Sequence, residues 1–180
     1  MKKCIVSMLM GLILSTFIGT AYGITVNYET SSIGGDYWKY IYTVSNDTFQ
    51  FAINEITFTY PVGYGFSDLQ ALTKPNWQTN AVDPTVNGSV GNPTDGFYIA
   101  VADSGKGIAT GTSEGGFILT FYWPNPPDYP PTDLSLPVDV ISSAGETWSG
   151  YTTPIPEPAT LLLVGVGLLG VAVFRKRLVK

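Results

Sequence analysis

Apolar and polar side chains alternate with a period of two along much of the chain. In residues 37–44 the side chains of Trp38, Tyr40 and Tyr42 fall on one face, and residues 117–123 repeat the pattern. Aromatic and β-branched residues are common in strands, and this period is that of a strand with one buried face. No stretch between the two ends of the chain shows the period of about 3.6 residues of an amphipathic helix. The pattern therefore predicts strands.

Turn residues separate the alternating segments into candidate strands. These are residues 24–28, 37–44, 56–60 and 117–123, with weaker candidates at 77–82, 97–101 and 138–141. About seven to nine strands at this spacing are typical of a sandwich. We expect an all-β fold, an antiparallel β-sandwich of jelly-roll or immunoglobulin-like type, over residues 24–145. The proline-rich residues 122–137 are expected to form a long ordered or polyproline-like loop.

The amino-terminal segment differs from the rest of the chain. Lys2 and Lys3 precede a mostly apolar stretch at residues 5–18, which is followed by small residues at Ala21 and Gly23. That order is typical of a secretory signal peptide, which signal peptidase would cut after Gly23. The apolar stretch is shorter than the roughly 20 residues of a membrane span, which disfavours an uncleaved anchor. We expect residues 1–23 to be removed on export.

A second apolar segment lies at the other end of the chain. Residues 159–174 carry no charge and are followed at once by Arg175, Lys176 and Arg177. At ~1.5 Å rise per residue this segment is short for a bilayer but usable, because flanking basic residues can reach the headgroups. A buried core helix is the alternative, but it would show a polar face. We expect a single transmembrane helix, with the basic residues 175–180 in the cytoplasm.

Directly before this segment stand Pro156, Glu157 and Pro158. A Pro-Glu-Pro tripeptide, an apolar helix and a terminal basic cluster together resemble the PEP-CTERM sorting signal of exported bacterial proteins. The resemblance implies that exosortase, a membrane transpeptidase, recognises the tripeptide and cuts near it, while the helix and the basic cluster retain the protein in the membrane. The two prolines also keep the backbone extended and lack N–H groups that could donate hydrogen bonds. The segment is therefore kept out of helices and sheets and stays accessible to a protease cleft.

The resemblance also implies a route for the protein. Residues 146–158 would be a linker between the sandwich and the membrane. The protein would first be a tethered intermediate at the inner membrane and would then reach the cell surface or the extracellular space. A plain anchored ectodomain, without processing, is the alternative.

The composition excludes several kinds of chemistry. The chain has no His, and its one Cys, Cys4, lies in the segment that we expect to be removed. Catalysis and zinc binding through His, and disulfides in the exported part, are therefore excluded. We expect no cofactor. Calcium held by carboxylates is an alternative, although the sequence has no D-x-D-x-D-G loop.

The exported part is strongly acidic. Residues 24–153 contain 13 acidic residues and 3 lysines (Lys39, Lys74 and Lys106), a net charge of −10. Neutralising phosphates requires clustered Lys and Arg, so nucleic acid and anionic membrane surfaces are not expected partners. The acidity favours solubility on a secreted surface.

Catalysis is not expected either. Without His and Cys, carboxylate pairs are among the few options. A glycosidase pair among Glu55, Glu114 and Glu146 is conceivable, but their spacing in the sequence does not fix the distance between their carboxyl groups, and surface acids are the other interpretation. We therefore expect a non-enzymatic exported protein with a structural or adhesive role at the cell surface or in the extracellular polysaccharide matrix.

A carbohydrate-binding module that recognises a surface polysaccharide is the alternative function. Sandwich domains can present aromatic rings to sugars, and the candidates outside the clearest core stripes are Trp77, Trp148, Tyr129 and Tyr151. Packing in the core or against loops is the other interpretation of these residues. An exposed row of aromatic residues would favour sugar binding. The structural role would be favoured by burial of Trp38, Tyr42, Phe121 and Trp123.

Overall fold

The computed structural model describes residues 23–85, 94–124 and 131–155. The expected signal peptide before Gly23 lies outside these residues, as do the tripeptide at 156–158, the apolar segment at 159–174 and the basic tail at 175–180. Within the described ranges, no helix is long and apolar enough to cross a membrane.

The described part of the chain consists of strands and one short 3-10 helix, Val62–Tyr64. The strands are β1 (Ile24–Gly34), β2 (Tyr37–Asn46), β3 (Ile53–Tyr60), β4 (Ser67–Ala71), β5 (Trp77–Val82), β6 (Gly96–Ala102), β7 (Thr112–Tyr122), β8 (Pro137–Ser142), β9 (Thr147–Tyr151) and β10 (Thr153–Pro154). Every candidate strand from the alternation overlaps one of these, so the all-β prediction is confirmed. The strands β4, β9 and β10 were not predicted.

The strands form two sheets of five strands each. Sheet A has the order β10-β1-β2-β7-β4 and sheet B the order β5-β6-β3-β8-β9. All neighbouring strands are antiparallel except β1 and β10, which are parallel. Side chains from both sheets meet in one core. The molecule is therefore a sandwich, as predicted, with a parallel strand at one edge.

Aromatic rings fill the space between the two sheets. Tyr42 of β2 stacks on Phe58 of β3 with ring centroids 4.0 Å apart, and Phe58 stacks in turn on Tyr98 at 5.5 Å. Tyr40 packs on Phe121 at 4.6 Å. Burying such a side chain contributes roughly 1.5–3 kcal/mol, and paired rings add to this. These contacts provide a core that does not depend on a disulfide.

The buried face of β2 is the one that the alternation predicted. Tyr40, Tyr42 and Val44 are fully buried, and Trp38 is partly buried against the same core. Trp38 pairs in register with Phe121 of β7. The two strongest stripes of the sequence therefore lie side by side in sheet A and face sheet B.

Two buried tyrosines hold the proline-rich segment. The Tyr40 hydroxyl donates to the carbonyl of Pro131 at 2.7 Å. The Tyr28 hydroxyl lies 2.9 Å from the carbonyl of Thr132 and 2.8 Å from that of Leu134. The carbonyl groups of this segment are not paired with a neighbouring strand, so the two tyrosine hydroxyls act as their hydrogen-bond donors. The described part of the expected loop is thus fixed by the core.

The sandwich extends beyond residue 145, where the predicted domain ended. Strand β9 pairs with β8, with Trp148 opposite Val140, and β10 pairs with β1. The expected linker is therefore part of the sheets as far as Pro154, and the predicted boundary was wrong. The segment lacks apolar alternation, but an edge strand needs only backbone hydrogen bonds to join a sheet.

Candidate functional site

The carboxyl end of the sandwich crosses from one sheet to the other at Thr152. Strand β9 of sheet B ends just before this residue and β10 of sheet A begins just after it. Thr152 is buried; its N–H donates to the Leu136 carbonyl at 2.8 Å, and its Oγ1 accepts from the Leu136 N–H at 2.9 Å. These two hydrogen bonds fix the point at which the chain crosses.

After Thr152 the chain lies at the edge of sheet A, beside β1. Thr153 lies opposite Asn27, and Pro154 lies opposite Tyr28. The N–H of Ile155 donates to the Tyr28 carbonyl at 2.9 Å. The chain is therefore still hydrogen-bonded to the sandwich at the residue directly before Pro156.

Strand β1 continues past the point where this pairing ends. On its other side it pairs with β2 as far as Gly34, and this ladder includes Thr30 opposite Tyr40 and Ser31 opposite Lys39. On the β10 side, no described strand pairs with β1 beyond Tyr28. We call residues 29–34 on this side the open edge of β1.

Most of the predicted processing residues lie outside the described ranges and remain predictions. They are Ala21, the tripeptide Pro156, Glu157 and Pro158, and the basic cluster Arg175, Lys176 and Arg177. Gly23 is described and directly precedes β1, whose first residue, Ile24, is buried. A cut after Gly23 would thus release a chain whose first residue belongs to the core.

Trp77, a candidate sugar contact, is buried in the core with 4% of its surface exposed. Its ring packs edge-on against Phe117 at 4.9 Å, and its indole N–H donates to Glu114 Oε1 at 3.1 Å. Lys74 completes this cluster by pairing with Glu114 at 2.8 Å. A ring held in this way has no free face for a sugar, so the structure removes Trp77 from the candidate contacts.

The other candidate contacts differ in exposure. Trp148 is partly buried and packs against the core, and its ring lies so close to Gly150 that a Cβ there would overlap it. Tyr151 is 65% exposed. Tyr129 lies outside the described residues. Among the described candidates, Tyr151 alone therefore presents a largely exposed ring.

An aromatic pair that the sequence did not point to lies on the outer face of sheet A. Tyr37 and Tyr122 are register partners, with ring centroids 5.4 Å apart. The Tyr37 hydroxyl donates to Asp68 Oδ2 at 3.0 Å, and the Tyr122 hydroxyl lies 3.5 Å from Asp36 Oδ2. The hydrogen bond to Asp68 raises the pKa of Tyr37. We call these four residues the tyrosine–aspartate patch.

The three glutamates considered for catalysis lie on different elements of the described part of the chain. Glu114 belongs to sheet A and is paired with Lys74, whereas Glu55 lies in β3 of sheet B and Glu146 directly precedes β9. In the ranges that the structure covers, no three His, Cys, Asp or Glu side chains group so as to hold a metal ion.

Residues 154–177 match the PEP-CTERM protein-sorting motif. The chain therefore carries this motif, and the resemblance drawn from the tripeptide, the apolar segment and the basic cluster is confirmed. The match begins at Pro154, the last residue of β10, so the sorting motif and the edge of the sandwich overlap. No curated protein matches the sequence.

Several solved structures are similar to the chain at low identity. An uncharacterized protein from Nocardia farcinica with an immunoglobulin-like fold is 17% identical, with a TM-score of 0.46 over 68% of this chain and 82% of that one. The CBM3b module of the scaffoldin ScaA from Acetivibrio cellulolyticus is 14% identical, with a TM-score of 0.39 over 77% of this chain and 100% of that one.

A GH20 exo-β-N-acetylglucosaminidase from Vibrio harveyi is also 14% identical, with a TM-score of 0.34 over 74% of this chain and 18% of that one. All three TM-scores are below 0.5. The assignment as a sandwich therefore rests on the two sheets described above.

Proposed function

We propose that this chain is an exported protein that an exosortase-type transpeptidase sorts to the cell surface or the extracellular polysaccharide matrix. The observation that carries the proposal is the PEP-CTERM motif at residues 154–177, which follows a domain that can fold outside the cell without a disulfide. Signal peptidase would remove residues 1–23. The inner membrane would then hold the intermediate through residues 159–174.

Each part of the carboxyl-terminal segment has a separate role in this proposal. Pro156, Glu157 and Pro158 are the recognition element, because a rigid extended backbone fits a protease cleft. The apolar helix holds the tripeptide near a membrane-embedded enzyme. Arg175, Lys176 and Arg177 stop transfer at the cytoplasmic face. After the cut, the sandwich leaves the membrane.

The exported sandwich has a structural or adhesive role and is not an enzyme. Tyr42, Phe121 and Trp123 are buried, which places the strongest aromatic stripes in the core. The exposed aromatic residues among those described are spread over the surface: Tyr37, Phe51, Tyr64, Phe97 and Tyr151. The excess of acidic residues keeps the protein soluble and away from nucleic acid and other polyanions.

Cell fractionation tests the sorting step. The wild-type protein should leave the membrane fraction, whereas Glu157→Ala should accumulate there because the recognition element is lost. Asp47→Ala removes an acidic residue from an exposed turn and is the matched control. Release of Glu157→Ala at the wild-type rate would contradict the proposal.

A carbohydrate-binding function is the second candidate, and the tyrosine–aspartate patch favours it. The Tyr37 ring is exposed on the outer face of sheet A, its hydroxyl donates to the Asp68 carboxylate, and the Asp36 carboxylate lies near the hydroxyl of the neighbouring Tyr122. Aromatic rings stack on the apolar face of a sugar, while carboxylates accept hydrogen bonds from its hydroxyl groups. The ligand would be a neutral polysaccharide of the cell surface, because the protein is acidic.

Affinity electrophoresis through gels that contain the cells' own extracellular polysaccharide tests this second candidate. If the patch binds the polymer, the wild-type protein is retarded, Tyr37→Ala is not, and Phe51→Ala behaves as the wild type. Phe51 is the matched control because it is an exposed aromatic residue outside the patch. Equal mobility with and without polysaccharide would exclude binding at the patch.

A further inference from the structure

We propose that the tip of the hairpin formed by β1 and β2 contacts the surface of the bilayer while the sandwich is tethered to it. The hairpin tip is residues 33–37, and the lipid that it contacts is a zwitterionic phospholipid. This contact rests on the proposed function, in which residues 159–174 lie in the membrane.

The chain leaves the sandwich in the direction of the hairpin tip. Strand β10 is parallel to β1, with Thr153 opposite Asn27 and Pro154 opposite Tyr28. The N–H of Ile155 still donates to the Tyr28 carbonyl, at 2.9 Å. Because β1 continues in the same direction, the hairpin tip lies ahead of the point at which the described chain ends.

The connection between the sandwich and the apolar segment is short. Residue 159 is four residues after Ile155, and four residues span at most ~14 Å in any conformation. Strand residues advance about 3.3 Å each, so β1 carries the chain about 20 Å from Tyr28 to Gly34. The hairpin tip therefore reaches at least as far as the connection can. A sandwich in line with its tether would hold the hairpin tip at the bilayer surface.

The hairpin tip exposes an aliphatic side chain. Strands β1 and β2 are joined by a turn at residues 35–36, which the pair Gly34 and Tyr37 closes. The register shifts between Ser32 and Gly34, so Ile33 is a bulge residue, and its side chain is 51% exposed. A bulge turns a side chain away from the regular face of its strand. Transfer of such a side chain from water to the lipid interface is favourable.

The hairpin tip stands clear of the rest of the sandwich. A Cβ at Gly34 or Gly35 would meet no atom within 4 Å. Tyr37, directly after the turn, is also exposed, and aromatic side chains of this kind are enriched at membrane interfaces. A narrow tip with one aliphatic and one aromatic side chain can enter the headgroup layer without any movement of the sheets.

The charges near the hairpin tip determine which lipid it can contact. Asp36 and Asp68 belong to the tyrosine–aspartate patch, Glu29 lies on the open edge of β1, and the exposed Asp133 lies near Tyr28. Lys39 is the one basic residue of the hairpin. The balance is negative, so anionic headgroups would repel this end, whereas zwitterionic headgroups would not.

The contact is therefore apolar and small, and it depends on the tether. Holding the sandwich within ~14 Å of the membrane raises the local concentration of lipid, which makes a weak contact effective. Cutting the chain near residues 156–158 would remove this advantage. The sandwich would then leave the membrane, as the proposed function requires.

Fluorescence quenching tests the contact. The chain from Ile24 to Lys180 has no Cys, so a single introduced cysteine can carry an NBD fluorophore. Ser31→Cys places the label beside the hairpin tip, and Thr48→Cys places it at an exposed position after the far end of β2. In phosphatidylcholine nanodiscs with a nitroxide headgroup lipid, we expect quenching at position 31 to be at least about twofold stronger than at position 48.

Two substitutions distinguish contact from proximity alone. Ile33→Ser in the Ser31→Cys chain should reduce quenching toward the value at position 48, because the hairpin tip loses its aliphatic side chain. Phe51→Ser is the matched control, with no expected effect. The Phe51 side chain is 49% exposed, but its carbonyl accepts from Asn46 at the far end of β2. Phosphatidylglycerol in place of phosphatidylcholine should weaken the quenching.

Equal quenching at positions 31 and 48 would overturn the inference, and so would quenching that Ile33→Ser leaves unchanged. Stronger quenching in phosphatidylglycerol would also overturn it, because the contact would then be electrostatic. Co-purification with the nanodiscs reports separately whether residues 159–174 enter the membrane. A chain that inserts without contact at the hairpin tip contradicts this inference alone, whereas a chain that does not insert contradicts the proposed function as well.

Discussion

The hydroxyl groups of Tyr42 and Tyr60 lie 2.7 Å apart in the middle of the core. Tyr42 belongs to sheet A and Tyr60 to sheet B, and both side chains are fully buried. The pair is a direct hydrogen bond between the two sheets. It matters because the exported chain has no Cys with which to join them.

Removing both hydroxyls of this pair should cost less unfolding free energy than the sum of the costs of removing each one alone. Tyr60→Phe leaves the Tyr42 hydroxyl buried without its partner, and we expect a loss of about 1–2 kcal/mol of unfolding free energy. The double variant with Tyr42→Phe should be less destabilised than the sum of the single variants. Urea unfolding followed by Trp fluorescence measures both, with Tyr151→Phe as the exposed control. Strict additivity would show that the two hydroxyls do not interact.

Alkaline pH should unfold the sandwich cooperatively. Burial is the largest cause of a raised pKa for Tyr28, Tyr40, Tyr42, Tyr60 and Tyr98. The folded state thus prefers neutral tyrosine, whose pKa is about 10 in an unfolded chain. This stability is complete below about pH 10 and is lost as the pH rises further. Circular dichroism and tyrosinate absorbance should change together; ionisation of these tyrosines with the sheets intact would contradict the expectation.

Asn46, at the end of β2, should be the most sensitive polar position in the described core. Its side chain is fully buried; Nδ2 donates to the carbonyls of Phe51 and Ile108 at 2.9 and 3.0 Å, and Oδ1 accepts from the Phe49 N–H at 3.1 Å. Asn46→Ala removes the partner of the Phe49 N–H and of the Phe51 carbonyl, whereas the Ile108 carbonyl still accepts from the Ile53 N–H. We therefore expect a loss of about 2–4 kcal/mol of unfolding free energy. Thermal unfolding compares it with the exposed neighbour Asp47→Ala. Equal melting temperatures would show that water replaces the amide.

Strands in which apolar and polar residues alternate strongly could be predicted from the sequence. Strands that join their sheet mainly through backbone hydrogen bonds could not. The aromatic residues on one face of β2 indicate a strand by themselves, because such a face must be buried. Strands β4 and β10 contain few apolar side chains and join sheet A at its edges. Their positions depend on tertiary hydrogen bonds that no local pattern shows.

The candidate sites were predictable to different degrees. Trp77 could have been placed in the core, because the other face of its strand carries Gln78 and Asn80, which favour solvent. The contact between Tyr37 and Tyr122 could not have been predicted, since it depends on the register of two strands far apart in sequence. The sorting motif was recognisable because its three parts are contiguous.

Intact-mass spectrometry of the protein from cells and from medium would show whether the carboxyl-terminal motif is processed. We expect a wild-type product that begins at Ile24 and ends within or next to residues 156–158, whereas Glu157→Ala should keep its mass through Lys180. If the wild type also keeps its mass through Lys180 and stays in the membrane, the motif is not processed and the protein is a plainly anchored ectodomain.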